Sequence, residues 1–156
     1  IGEGLHFESE NKFYSVYTEL VKNLDELSDS FFPSLFQEKL DKQYEIRSFF
    51  LDGEIYSMAI FSQKNSKTLI DFRKYDEAVP NRNVPYKLPN DIEDKLRVFM
   101  NNMNLNSGSI DLIYTKNKKY VFLEVNPVGQ FGMVSVPCNY YLEKKLTEKL
   151  IRNEKK

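Results

Sequence analysis

Two carboxylates and an amide, Asp111, Glu124 and Asn126, carry the strongest chemical signal in this sequence. The carboxylates sit in two apolar, β-rich runs, 109–115 and 120–125, either side of the polar tetrapeptide Lys116-Asn117-Lys118-Lys119, and Asn126 directly follows the second run. That is the pattern of a hairpin with a short loop. With a symmetric loop, Asp111 stands directly opposite Glu124, and opposed residues on one face have Cβ atoms about 4.5–5.5 Å apart. Two carboxylates that close repel. An edge hairpin whose acids face water would relieve them, but the flanking Ile110, Leu112, Ile113, Val121, Phe122, Leu123 and Val125 read as strands buried on both faces. A divalent cation accounts for the pair better, since Mg²⁺ takes oxygen ligands and divides its shell between protein carboxylates and substrate phosphates. Asn126, two residues past Glu124 and so on the same strand face, adds a neutral oxygen. Pro127 then ends the strand, because it has no N–H for the ladder.

The string FLEVNPVGQFG, with an Asp on the partner strand, resembles the C-terminal metal-binding hairpin of ATP-grasp carboxylate–amine ligases. Within that superfamily it looks most like the peptide-maturing branch, the microviridin-type ligases and grasp-with-spasm maturases that modify ribosomally made precursor peptides. The resemblance implies an α+β ATP-grasp fold, here its C-terminal catalytic half, a mostly antiparallel sheet with packed helices. It implies ATP and Mg²⁺ as cofactors and a precursor peptide as partner. Residues 1–62 would belong to the nucleotide lid and adenine hinge, and 63–156 to the metal-binding subdomain. Because the chain opens on Ile1 within a Gly-containing segment, a fragment is expected. The N-terminal domain and the phosphate-gripping lysines would lie upstream, and the fragment alone would be inactive.

Further roles follow from the resemblance. Gln37, Glu38, Lys39 and Leu40 match the adenine hinge, where extended backbone offers an N–H and a C=O to the base. Glu45 is the ribose candidate. Arg47 would reach phosphates or the substrate carboxylate, as a planar guanidinium binds two oxygens at once. Arg73 matches the basic residue facing the γ-phosphate and the acyl phosphate. Gln130, in a turn with Gly129 and Gly132, is the substrate-facing candidate. On the residues alone, without the hairpin, an alternating surface strand is the preferred account of Glu45 and Arg47, and a solvent-exposed strand end explains Arg73 equally well.

These residues need elements to hold them. Asp52-Gly53 between two β-rich runs predicts a hairpin of strands 44–51 and 54–61. Strands are also expected at 13–18, 35–40 and 68–72, and a short helix at 23–28 before Phe31-Phe32-Pro33. Loops are expected at 1–12, around His6, and at 76–88, which holds Pro80 and Pro85. Asn90 with Glu93 three residues on reads as a capping box, opening a helix to about Asn104 with Ile92, Leu96, Phe99, Met100 and Met103 inward. A second helix is expected at 139–153, burying Leu142, Leu146, Leu150 and Ile151.

Composition bounds the rest. The 156 residues suffice for one domain with a core. A net charge of −1 argues against nucleic acid as a partner. No apolar run approaches a membrane span. The single cysteine, Cys138, excludes an internal disulfide, fits a reducing compartment, hence the cytoplasm, and has no His partner to make it a nucleophile. A homodimer is one arrangement the sequence allows. Three functions stay open: a ligase forming ester or amide cross-links in a precursor peptide, a non-catalytic peptide-binding or regulatory module, and a small-molecule amino-acid ligase.

Overall fold

A computed structural model describes residues 6–9, 12–15, 17–27, 29–30 and 33–153. Gly2 and Gly4 lie outside the described residues. The chain contains a two-stranded hairpin, β1 (His6–Ser9) with β2 (Lys12–Ser15), where a loop was expected over residues 6–9. One 3-10 turn follows at Leu24–Glu26, capped by Asn23, whose Oδ1 accepts from Asp25 N at 3.1 Å. The larger sheet is built from β3 (Lys42–Leu51), β4 (Glu54–Phe61), β5 (Arg82–Tyr86), β6 (Ser107–Thr115) and β7 (Tyr120–Asn126). Its strand order is β5-β4-β3-β6-β7, every pair antiparallel. Three helices pack on it, α1 (Asn90–Asn102), α2 (Gly132–Cys138) and α3 (Leu142–Asn153). The architecture is α+β, and strands from both sides of residue 62 pair in one sheet.

Asp52 and Gly53 take φ of 53° and 91°, the double left-handed bend that joins twisted antiparallel strands. Strand alternation then sorts side chains to two faces. On one, Ile46, Phe50, Ile110 and Leu112 pack with Leu88 and with Leu96 and Met100 of α1. On the other, Phe49, Leu51, Met58 and Ile60 pack with Val134, Cys138 and Leu142 of α2 and α3. Both cores are apolar, which is what holds β3 rigidly in the middle.

Several expectations are corrected. Residues 33–41 form no strand: Pro33 lacks a donor, and Leu35 and Phe36 are 79% and 50% exposed, so no apolar face anchors a ladder. Residues 68–72 are turns rather than a strand. The expected loop at 76–88 holds β5, with Pro85 tolerated because β5 is a sheet edge. The capping box does not form. Pro89 is the N-cap, its carbonyl accepting from Ile92 N and Glu93 N at 3.0 Å each, and buried Glu93 is held by Lys87 and Arg97 at 2.6 and 2.8 Å. Met103 is 55% exposed, and so are Leu150 (65%) and Ile151 (48%), because α3 begins only at Leu142 and turns those two outward. Asn139 and Tyr141, both at φ 53°, make the bend between α2 and α3.

At one end of the α1 face, tyrosines from four strands converge. Tyr44 and Tyr86 hydroxyls lie 3.2 Å apart, Tyr86 and Tyr120 hydroxyls 2.5 Å apart, and Tyr114 stacks on Tyr44. Burial, then the shared hydrogen bond with Tyr86, pushes Tyr44 and Tyr120 well above the ordinary phenol range. A pKa raised by folding means the neutral form is favoured in the fold. Stability is therefore complete below the unfolded value of about 10 and is lost as pH rises beyond it. Alkaline titration followed by phenolate absorbance should show part of the tyrosine signal appearing only above that range. A single transition at the ordinary value would contradict the cluster.

Candidate functional site

Register puts the carboxylates where chemistry can use them. Asp111 of β6 faces Glu124 of β7 directly and, on its other side, faces Arg47 of β3. The row Arg47–Asp111–Glu124 thus crosses three strands on the face that carries α2 and α3. Asn126, paired with Ser109, occupies the next row of that face. The pairing reaches this register through a bulge. Nearer the loop, Tyr114 pairs with Tyr120 and Leu112 with Phe122, so Leu123 is an extra residue that restores Asp111 to Glu124. β6 is buried nearly throughout, but β7 is half-buried, an edge in this sheet with Phe122 41% exposed. The expectation of two fully buried strands is corrected for β7.

Arg47 forms a bidentate fork with Asp111, donating from Nε to Oδ1 and from Nη2 to Oδ2 at 2.8 Å each. Both side chains are nearly buried, 13% and 15% exposed. The third guanidinium nitrogen, Nη1, lies 2.9 Å from Sδ of Met133 on α2, and the guanidinium carbon sits 5.9 Å from the Phe72 ring centre. Burial pulls the Arg47 pKa down, but the fork and the charges of Asp111 and Glu124 outweigh it and hold the pKa above its ordinary value. Glu124 Oε1 accepts from Nδ2 of Asn126 at 3.1 Å.

Arg73 has the same kind of partner. Its Nε and Nη2 donate to Oδ1 and Oδ2 of Asp71 at 2.9 and 2.6 Å, and its backbone N–H to Asp71 Oδ1 at 3.0 Å. Asp71 also accepts from Thr18 N at 2.9 Å. Burial would raise the Asp71 pKa, but these donors reverse the effect and hold it below the usual carboxylate value. Arg47 and Arg73 are close enough to feel each other's charge, and both feel Asp111 and Glu124. Glu45 is buried, with Lys42 Nζ donating to Oε1 and Ser62 Oγ to Oε2 at 2.6 Å. Lys42 also donates to the Ile70 carbonyl at 3.0 Å.

The structure therefore brings Arg47, Asp111, Glu124, Asn126 and Arg73 to one region. Gln37, Glu38 and Lys39 lie exposed in an irregular segment, with Leu40 half-buried, and Gln130 is exposed after the β7 turn. The sequence reading missed Asp71, Lys42, Ser62, Phe72 and Met133. Only Asp71, two residues before Arg73, left a local trace. An open cavity of about 630 Å³ between Tyr56, Tyr140, Tyr141 and Lys145 holds none of the expected site residues.

Among the described residues no cluster of three or more His, Cys, Asp or Glu is placed to hold a metal. Two facing carboxylates and a neighbouring amide nevertheless fit Mg²⁺, which completes its shell with water and phosphate oxygens rather than a full protein cage. The described residues contain no helix long and apolar enough to cross a membrane.

No protein-family model matches the chain, and no curated protein does. Solved structures do. A RiPP-associated ATP-grasp ligase of Chryseobacterium gregarium, solved with ADP and a leader and core peptide, is 28% identical at a TM-score of 0.74, over 82% of this chain and 39% of its own. Macrocyclase MdnC of Microcystis aeruginosa, bound with precursor peptide MdnA, is 31% identical at 0.59, over 72% of this chain and 31% of its own. ATP-grasp ligase PsnB, complexed with a minimal precursor variant, Mg and ADP, shares the fold at 0.60 and 20% identity. The chain thus spans well under half the length of these proteins. Over that span, with its five-stranded antiparallel sheet and flanking helices, the chain shares the fold of the corresponding part of these ATP-grasp ligases.

Proposed function

We propose that this chain supplies the nucleotide- and metal-binding part of a ligase that uses ATP to join a side-chain carboxylate of a precursor peptide to a hydroxyl or amine. The reading is carried by the row Arg47–Asp111–Glu124, flanked by Asn126, on a chain similar to ligases solved with ADP and peptide. The peptide carboxylate attacks the γ-phosphorus and ADP leaves. The hydroxyl or amine then attacks the acyl carbon, phosphate leaves with the acyl oxygen, and the nucleophile gives up its proton. The net change is one water removed per bond and one ATP split to ADP and phosphate.

Asp111, Glu124 and Asn126 would hold Mg²⁺. When bound, the ion offsets phosphate charge as the carboxylate approaches. Arg47 and Arg73 bind oxygens of the transferred phosphoryl group and offset the charge that develops on it. Gln37, Glu38, Lys39 and Leu40 face the adenine, which an irregular, exposed backbone is free to do. Glu45 serves the ribose side through the Lys42–Glu45–Ser62 cluster rather than as an open carboxylate. Gln130 meets the peptide. The division at residue 62 into hinge and metal-binding parts, a cytoplasmic setting, and the absence of nucleic-acid and membrane partners belong to the same proposal.

The test is ADP release by the protein with Mg²⁺ and ATP, with and without a Ser-, Thr-, Asp- and Glu-containing precursor peptide, alongside the peptide's mass. Peptide-dependent ADP release with loss of one water per cross-link is expected. Release driven by a free amino acid instead would transfer the reading to a small-molecule ligase. Bound Mg·ATP without turnover would make it a regulatory module.

A further inference from the structure

Both carboxylates of the Asp111–Glu124 pair are engaged by donors from the chain itself. The Arg47 fork takes one hydrogen bond to each oxygen of Asp111 at 2.8 Å, and Asn126 turns its NH₂ group, not its oxygen, toward Glu124 at 3.1 Å. Three residues proposed to serve a metal therefore stand in an arrangement that a metal would have to rearrange. A divalent cation at Asp111 would also lie beside the guanidinium, and two positive charges a few ångströms apart in a poorly solvated setting repel by an amount comparable to what the carboxylate offers. The Arg47 side chain is 13% exposed, so water screens that repulsion weakly.

We infer that Arg47 is an internal counter-ion that bars bare divalent metal from Asp111 and Glu124, yielding the carboxylates only when a nucleotide's phosphates offer the guanidinium a replacement. This rests on the proposed nucleotide site and adds to it an order of binding. Arg47 is built for the exchange. Its Nη1 is held by a thioether, a weak acceptor, and the Phe72 ring face lies near the guanidinium without fixing its direction. A phosphate oxygen is a far stronger partner for a guanidinium than sulfur is. Turning toward it costs the fork but delivers Asp111 to the metal that accompanies the phosphate. Asn126 makes the matching move by rotating its amide, so that oxygen rather than nitrogen faces the pair. The device makes metal and nucleotide affinities mutually dependent, as linkage requires.

The experiment is calorimetric titration of Mg²⁺ into wild type, Arg47→Met and Arg47→Gln without nucleotide, then of ADP into each at saturating Mg²⁺. Met keeps the side-chain bulk without the charge; Gln keeps one donor for Asp111, so the two differ in their risk to folding, which circular dichroism reads. Removing the guanidinium should tighten binding of Mg²⁺ alone by roughly tenfold or more and weaken ADP. Gains and losses of opposite sign are the signature, because a residue that only binds phosphate or only supports the fold gives no gain for metal. Mg²⁺ affinity unchanged or weakened in the folded variants overturns the inference. The metal-only titration decides it even if wild type binds no ADP, an outcome that would overturn the nucleotide site instead.

Discussion

Asp111→Asn should cost this protein about 3 kcal/mol of folding stability, whereas Glu124→Gln should cost well under half of that. The two carboxylates face each other and share one proposed function, yet they differ in what they hold up. Asp111 neutralises a nearly buried guanidinium through two hydrogen bonds. The asparagine amide keeps at most one of those bonds and none of the charge, so Arg47 is left desolvated beside a neutral partner. Breaking a buried pair from one side is costly because the survivor is uncompensated. Glu124 lies on half-buried edge strand β7, where partial exposure lowers the cost of neutralising it, and glutamine can keep the bond it accepts from the Asn126 amide. In thermal unfolding the Asp111 variant should fall by roughly 6–12 °C for a chain of this size. Both variants should lose Mg·nucleotide binding. A double-mutant cycle on Arg47 and Asp111 checks the cause, with coupling above about 1.5 kcal/mol expected. Equal stability losses for the two acids, or coupling near zero, would remove the fork from the account.

The Asp111–Glu124 pairing was legible because strand alternation and a polar loop fix two faces. It was legible partly by compensation, however. The symmetric loop assumed from the sequence is one residue off at Tyr114–Tyr120, and the bulge at Leu123 returns the register. A bulge has no reliable signature in a run such as Tyr-Val-Phe-Leu-Glu-Val. The β3–β4 hairpin was equally plain, since Asp-Gly is a local signal. What sequence could not give is long-range. Arg47 and Asp111 are 64 positions apart, and only the placement of β3 between β4 and β6 reveals that the expected phosphate ligand is already bound to the expected metal ligand. α2 was invisible because Gly132-Met-Val-Ser-Val-Pro137 has poor helix formers at most positions. It forms through the burial of Val134 and Cys138 against Phe49 and Met58. The segment 35–40 erred the other way, since its alternation suggested a strand for which no ladder exists.

Gly129→Ala should be the most damaging glycine-to-alanine change among the described residues, for want of space and not of backbone freedom. A Cβ there would lie 2.3 Å from Ser109 Oγ, 2.4 Å from Ser109 N and 2.5 Å from Ser109 Cβ. The Oγ alone could rotate away, but the backbone nitrogen cannot, because Ser109 is paired on both sides, to Phe49 of β3 and Asn126 of β7. The turn must therefore lift off the sheet. With it go the position of Asn126 at the end of β7 and that of Phe131, which packs 5.7 Å from Phe49 and opens α2. Overpacking of this kind costs about 1–3 kcal/mol in stability, and because it displaces a proposed metal ligand, Mg·nucleotide binding should fall with it. Ser109→Ala should not rescue the variant, since the nitrogen and Cβ contacts remain. Gly132→Ala, three residues on, is the control. A Cβ there meets nothing within 4 Å, and at the first position of α2 alanine is a better helix former than glycine. Stability of that variant should hold or rise slightly. If Gly129→Ala were as benign as Gly132→Ala, the turn would not be seated on Ser109, and the route by which the sheet positions Asn126 would have to be redrawn.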